Sequence, residues 1–221
     1  MQIVDLSYSI TEDIISWPGY PQPSLKDVLS ITKEGYRAGH ISFMSHTGTH
    51  IDAPSHTLKG GLSLDELPIS NYFGKAVLIN LHNLERYIEI GDLLPHAEQI
   101  EKSKFVVLYC GHQHLWGKKD YFYHYPVLSK ETTNWLCQFN LYGIGIDTFS
   151  VDPIDTKTSI NHRILASKNM IVIENLANLH IVEELTTQSS GMFELSVFPI
   201  KFPTSDGAPV RAVGFIDFVA Q

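Results

Sequence analysis

Basic residues are scarce in this 221-residue chain: 16 Lys and Arg stand against 24 Asp and Glu, a formal net charge of −8. That balance argues against a nucleic-acid or anionic-membrane partner. No stretch approaches ~18 consecutive apolar residues, so no segment is expected to span a bilayer. The opening Met1-Gln-Ile-Val-Asp-Leu lacks the basic and apolar regions of a signal peptide. Cysteine is nearly absent, and Cys110 and Cys137 form no Cys-x-x-Cys motif, which fits a reducing, cytoplasmic setting. Repeats, low-complexity tracts and a recognisable linker are missing too. What remains, 43% hydrophobic and 18% charged residues, is ordinary for a globular protein, and one domain over residues 1–221 is expected.

Strands outnumber helices in the pattern. Residues 2–10 alternate apolar and polar, and strands are expected near 38–45, 75–81, 105–109, 143–147, 170–173, 194–198 and 212–219. Helical spacing runs over 92–102, from a cap at Ser129 to about 139, and over 159–168, with a short helix at 64–69. Mixed α/β or α+β follows. Ser16-Trp-Pro-Gly-Tyr-Pro-Gln-Pro can be neither helix nor central strand. Trp17 stands at its start, where an aromatic often packs onto the core.

The densest chemistry lies in Ser45-His-Thr-Gly-Thr-His-Ile-Asp-Ala-Pro-Ser-His56, with His46, His50, Asp52 and His56 in eleven residues. Imidazole nitrogens with a carboxylate oxygen suit Zn²⁺, and also Mn²⁺ or Fe²⁺. All four residues share parity, so a straight strand would point them to one face. It would also hold His46 and His50 about 13 Å apart at Cα, too far to meet on one ion. A helix would join those two but send Asp52 elsewhere, and Pro54 forbids a helix interior. Gly48 and Pro54 read as bends, so the expectation is a strand feeding a kinked loop around an ion. Histidines capping turns are the bland alternative, and four chelating groups around two bends outweigh it. Three protein ligands would leave room for water, the catalytic arrangement.

The stretch His46-Thr-Gly-Thr-His-Ile-Asp-Ala-Pro-Ser-His56 resembles the signature His-x-Gly-Thr-His-x-Asp-x-Pro-x-His of the metal-dependent cyclase/hydrolase family, which includes bacterial kynurenine formamidases and isatin hydrolases. Every fixed position is present. Gly145-Ile-Asp-Thr-Phe-Ser-Val-Asp-Pro and Lys201-Phe-Pro-Thr-Ser-Asp-Gly-Ala-Pro-Val-Arg-Ala-Val support it in the same order along the chain. The resemblance implies a swivelling β/β/α domain and two divalent ions per chain, zinc first and manganese as alternative. His46, His50 and Asp52 would hold one ion, and Asp52 would bridge to a second held by His162 and Glu174. His56 would be the proton donor and acceptor. Trp17 would belong to a loop covering an aromatic substrate, and a homo-oligomer, dimer or tetramer, is implied. Tyr20 departs from the acidic residue that formamidase-type members commonly carry after the loop glycine.

Other candidates are weaker. Cys110 with His112 or His114 could form a nucleophile and base, but a small buried hydrophobe at a strand end is the preferred reading. His40, His82, His96, His124 and His180 lack ligand spacing. Asp147 and Asp152 could support the site or cap turns. The constellation suits metal-assisted hydrolysis of an amide, with a metal-activated water as nucleophile and a histidine protonating the leaving nitrogen. The resemblance implies an arylformamidase-like enzyme acting on a small molecule such as N-formylkynurenine. An isatin-type lactam hydrolase is the first rival. A structural or regulatory metal-binding protein, or a family member that only binds a ligand, is the rival of another class.

Overall fold

The computed structural model describes residues 1–82, 84 and 87–217. Its strands are β1 (Gln2–Asp5), β2 (Ser24–Leu29), β3 (Ala38–Ser42), β4 (His50–Asp52), β5 (Phe73–Asn80), β6 (Phe105–Tyr109), β7 (Gly143–Ile146), β8 (Ile171–Glu174), β9 (Met192–Ser196), β10 (Gly207–Pro209) and β11 (Val213–Ile216). The helices are α1 (Ile31–Glu34), α2 (Pro54–Thr57), α3 (Ile90–Leu93), α4 (Ala97–Glu101), α5 (Lys130–Leu136), α6 (Ile160–Ala166) and α7 (Leu179–Thr186). One sheet runs β1-β11-β9-β5-β6-β7-β8-β4-β10, and β2 pairs with β3 apart from it. The central strands β5 to β8 are parallel. Both flanks are antiparallel.

Parallel strands covered on both faces carry continuous apolar runs, which accounts for Phe105–Leu108 and Ile171–Ile173. Alternation along each strand then sorts side chains into two cores. Phe105, Val107, Ile171, Ile173 and Ile51 join one core with Leu179 and Val182 of α7. Val106, Leu108, Ile144, Ile146 and Val172 join the other, with Leu93, Ile100, Leu136 and Leu165 from the helices. β10 and β11 lie towards opposite ends of the sheet order, yet only residues 210–212 separate them. Val210 N–H donates to the Thr49 carbonyl and Leu6 N–H to that of Ala212, so the sheet curls until its ends meet. The fold is mixed α/β, of the swivelling β/β/α kind.

Several elements differ from the pattern-based expectation. The segment 92–102 is not one helix: Pro95 lacks an N–H, and a 3-10 turn at Leu94–His96 separates α3 from α4. Residues 64–67 form a turn, followed by a 3-10 helix at Ile69–Tyr72. The strand expected at 38–45 ends at Ser42 and pairs only with β2. The end of the strand expected at 212–219 lies outside the described residues. Ser129 does cap α5, accepting from Thr132 N–H at 3.2 Å. The β2–β3 hairpin has no buried residue. Leu25 and Ile41 are cross-strand partners in it and both are exposed.

Candidate metal centre

The sheet register brings the site together. β4 lies antiparallel to β8, with His50 opposite Glu174, Ile51 opposite Ile173 and Asp52 opposite Val172. Ile51 points into the core beside α7, so its neighbours His50 and Asp52 point to the other face. Glu174 projects there too, and α6 brings His162 onto it. His46 arrives from the loop before Gly48, whose φ of 64° is left-handed and suits glycine. Pro54 opens α2 at its first turn, where a missing N–H costs nothing, and the one-turn helix delivers His56. The motif is therefore loop, strand and helix in succession. A kinked loop was expected, and the short strand His50–Asp52 inside it was not.

Three imidazoles surround two carboxylates. His50 Nδ1–H donates to the Gly48 carbonyl at 2.8 Å, which aims Nε2 at Asp52 Oδ1, 3.2 Å away, and Glu174 Oε2, 3.5 Å away. His162 Nδ1–H donates to Asp152 Oδ2 at 2.7 Å. Its Nε2 lies 3.1 Å from Asp52 Oδ2 and 3.2 Å from Glu174 Oε1. His46 Nδ1 is 2.6 Å from Asp52 Oδ1, and its Nε2 is 3.1 Å from Asp206 Oδ2. Asp52 belongs to both clusters with metal-binding geometry, one with His46 and His56 and one with His50 and Glu174.

This donor set fits divalent cations. His50 and His162, each with its Nδ1 proton committed to an acceptor, turn Nε2 toward carboxylate oxygens. Lone pairs facing anions in a buried pocket call for a cation between them. Glu174 Oε1 is buried and makes no hydrogen bond. Without an ion, protons must fill the role. Burial opposes charge on His46, yet Asp52 and Asp206 push its imidazole up to about 10. Burial likewise opposes charge on His162, and the neighbouring carboxylates of Asp152, Asp52 and Glu174 raise it well above the usual range. Asp52, though buried, is held well below the carboxylate range by His46 and His50. His56 behaves otherwise: burial, only partly opposed by Asp52, lowers it. Its ring centroid is 4.1 Å from that of His46, and its Nδ1 is 3.7 Å from Asp206 Oδ2.

A cavity of about 260 Å³ opens over this cluster. Trp17 lines it, stacked on Phe149 with ring centroids 5.2 Å apart. Tyr20, Tyr125 and Ile154 complete an apolar wall. All seven residues singled out from the sequence, His46, His50, Asp52, His56, His162, Glu174 and Trp17, line this space or its floor. Asp152 is an orienting group: its carboxylate also accepts from the N–H of Asn161 and of His162 at the start of α6. Asp206, Phe149 and Tyr125 were not anticipated. Asp206 lay inside a quoted stretch, and its approach depends on the β10–β4 pairing of Gly207 with Asp52. Cys110 lies in the helix-side core, where burial raises its thiol well above the usual range. His112 and His114 are spent on the carbonyls of Tyr121 and Gly111, in keeping with the packing role.

The Cyclase family model matches residues 4–153. The kynurenine formamidase of Bacillus mycoides (strain KBAB4) is 32% identical over 214 residues, 96% of each chain. That of Bacillus anthracis is 31% identical over 95% of each. Isatin hydrolase A from Labrenzia aggregata, bound to benzyl benzoate, aligns with a TM-score of 0.83 at 22% identity, over 97% of this chain and 93% of that one. A structure described as a potential metal-dependent hydrolase with cyclase activity aligns at 0.78, with 24% identity and 98% of both chains covered. These two likenesses are of fold.

Proposed function

From the premise that the chain belongs to the Cyclase family, we propose that it is a metal-dependent hydrolase of amide C–N bonds, arylformamidase-like, converting N-formylkynurenine to kynurenine and formate. The observation that carries the reading is the convergence of His46, His50 and His162 on the Asp52 and Glu174 carboxylates, with His56 beside them. His46, His50 and Asp52 would hold one ion, and His162 and Glu174 a second, with Asp52 shared. Zinc would be the first choice of metal and manganese the alternative. Bound divalent ions would supply Lewis acidity to the substrate carbonyl and to a water nucleophile at neutral pH.

The chain's own groups do the rest. Trp17, stacked on Phe149, would lay an aromatic face against the aryl ring and set the carbonyl over the centre. His56 is neutral near pH 7 because its burial disfavours charge. It would accept the proton of the attacking water at an imidazole nitrogen. It would then hand that proton to the departing nitrogen, a poor leaving group until protonated. Purified protein assayed with N-formylkynurenine and with isatin, before and after chelation, tests the reading. Metal-dependent formate release from the first supports it. Turnover of isatin alone favours the lactam reading, and stoichiometric metal with no turnover of either favours a binding protein.

A homo-oligomer, dimer or tetramer, belongs to the same proposal. A lone two-stranded hairpin is marginal in water, and Leu25, Ile31, Tyr36 and Ile41 on or beside β2–β3 are exposed, which supports a second copy packing there. A monomer by light scattering overturns it. Cys110 and Cys137 are both free, which supports a cytoplasmic setting. Among the described residues no helix is long and apolar enough to cross a membrane.

A further inference from the structure

The three imidazoles are not held alike. His50 and His162 are tied through Nδ1 and present Nε2 to the carboxylates. His46 is reversed: its Nε2 faces Asp206 Oδ2 at 3.1 Å, and its Nδ1 is the atom turned to Asp52. Two neighbouring residues impose that reversal. The Asp206 backbone is fixed by the sheet, its carbonyl accepting from Ala53 N–H at 2.8 Å while Gly207 pairs with Asp52. Gly207 leaves bare backbone under the His46 ring, since a Cβ there would stand 2.5 Å from His46 Cε1. The same Asp206 Oδ2 lies 3.7 Å from His56 Nδ1.

We propose that Asp206 and Gly207 form a seat that fixes His46 as an Nδ1 donor to the metal centre, so that Asp206 is a positioning residue serving both His46 and His56. The inference rests on the metal-binding part of the proposed function, and not on the identity of the substrate. An acceptor behind a ligating imidazole sets its tautomer and ring orientation. Asp152 does this for His162 and the Gly48 carbonyl for His50. Asp206 completes the set, from the residue just before β10, 160 positions after His46.

The test titrates metal-free protein with zinc chloride against a chromophoric chelator, comparing wild type, Asp206→Ala, Asp206→Asn and Gly207→Ala. Asp206→Ala is expected to weaken one of two zinc sites by roughly 10–100-fold, the usual cost of removing such a partner. Asp206→Asn keeps an oxygen that accepts Nε2–H and is expected to retain most of the affinity. Gly207→Ala displaces the ring and should weaken the same site as Asp206→Ala. Asp206 is half exposed, and thermal unfolding of the metal-free variants checks that each is folded. Unchanged zinc binding in folded Asp206→Ala overturns the seat. So does Asp206→Asn losing as much as Asp206→Ala, which would make Asp206 a ligand instead. Wild type that binds no zinc overturns both this inference and the proposed function. Wild type that binds zinc in an Asp206-dependent way but hydrolyses no aryl formamide overturns the function alone.

Discussion

The two halves of the centre are built to different standards. On the closed half, the side chains of His50, Asp52, His162 and Glu174 are 3%, 4%, 8% and 7% exposed. Each imidazole there is braced by an acceptor from the framework. On the open half, His46, His56 and Asp206 are 13%, 33% and 50% exposed, and they brace one another. Burial strengthens electrostatic contacts and makes an unpaired group expensive, so the closed half suits holding charge in place. Partial exposure lets a group exchange protons with water, which suits His56 to the proton transfer proposed for it. The sheet side thus suits holding charge, the task His46 would share from the loop side, whereas His56 lies on the loop side alone.

The largest effect should come from the closed half. His50→Ala or His162→Ala is expected to lose an ion and all measurable turnover together, with metal content and rate measured on the same preparation. Full metal content in either variant would erase the distinction between the halves. On the open half, His56→Ala should keep both ions and the fold while kcat falls about 10²–10⁴-fold. Release of an ion from that variant as readily as from His50→Ala would make His56 a ligand.

A smaller effect contrasts two buried carboxylates. Asp52 is held ionised by His46 and His50, whereas Asp147 pairs with no cation among the described residues, and burial, partly opposed by the Cys110 N–H, pushes it up to about 6. A folded pKa above the unfolded value gives stability that is present below about 3.8 and lost as pH rises through about 6. The stability difference between wild type and Asp147→Asn, both metal-free, should therefore shift by roughly 2–3 kcal/mol in favour of the variant between pH 4 and pH 7.5. Denaturant unfolding at the two pH values reads it, and a constant difference would mean that Asp147 carries no burial penalty. The smallest effect belongs to the rim: Trp17→Ala should raise KM for aryl formamides by roughly 3–10-fold with little change in kcat. Lower stability with normal kinetics would assign Trp17 to packing alone.

On the closed half, His50 and Asp52 were legible in the amino-acid order because they stand in one compact motif. Local periodicity placed His162 on a helix and Glu174 at the end of a strand, and the family resemblance alone implied that they join the site. On the open half His46 and His56 were equally legible in that motif, and their surroundings were not. Asp206 and Phe149 sit in loops without periodicity, and their approach depends on which strands pair across more than a hundred residues. The break at Pro95 was readable from the residue itself, whereas the apolar spacing around it suggested one helix. The β4 strand is three residues long, too short for any period to declare it, and only its pairing with β8 and β10 makes it a strand.

The pairing of β10 with β4 also has a consequence in time. A chain emerging from the ribosome exposes His46, His50, Asp52 and His56 early, and at ordinary rates of synthesis about ten seconds pass before Asp206 follows. During that interval the four groups can bind an ion with none of the long-range contacts that later aim them. Closure of the sheet by its last strands would then have to rearrange any ion bound early. Refolding with zinc present from the start should therefore be slower than refolding with zinc added after the sheet has closed.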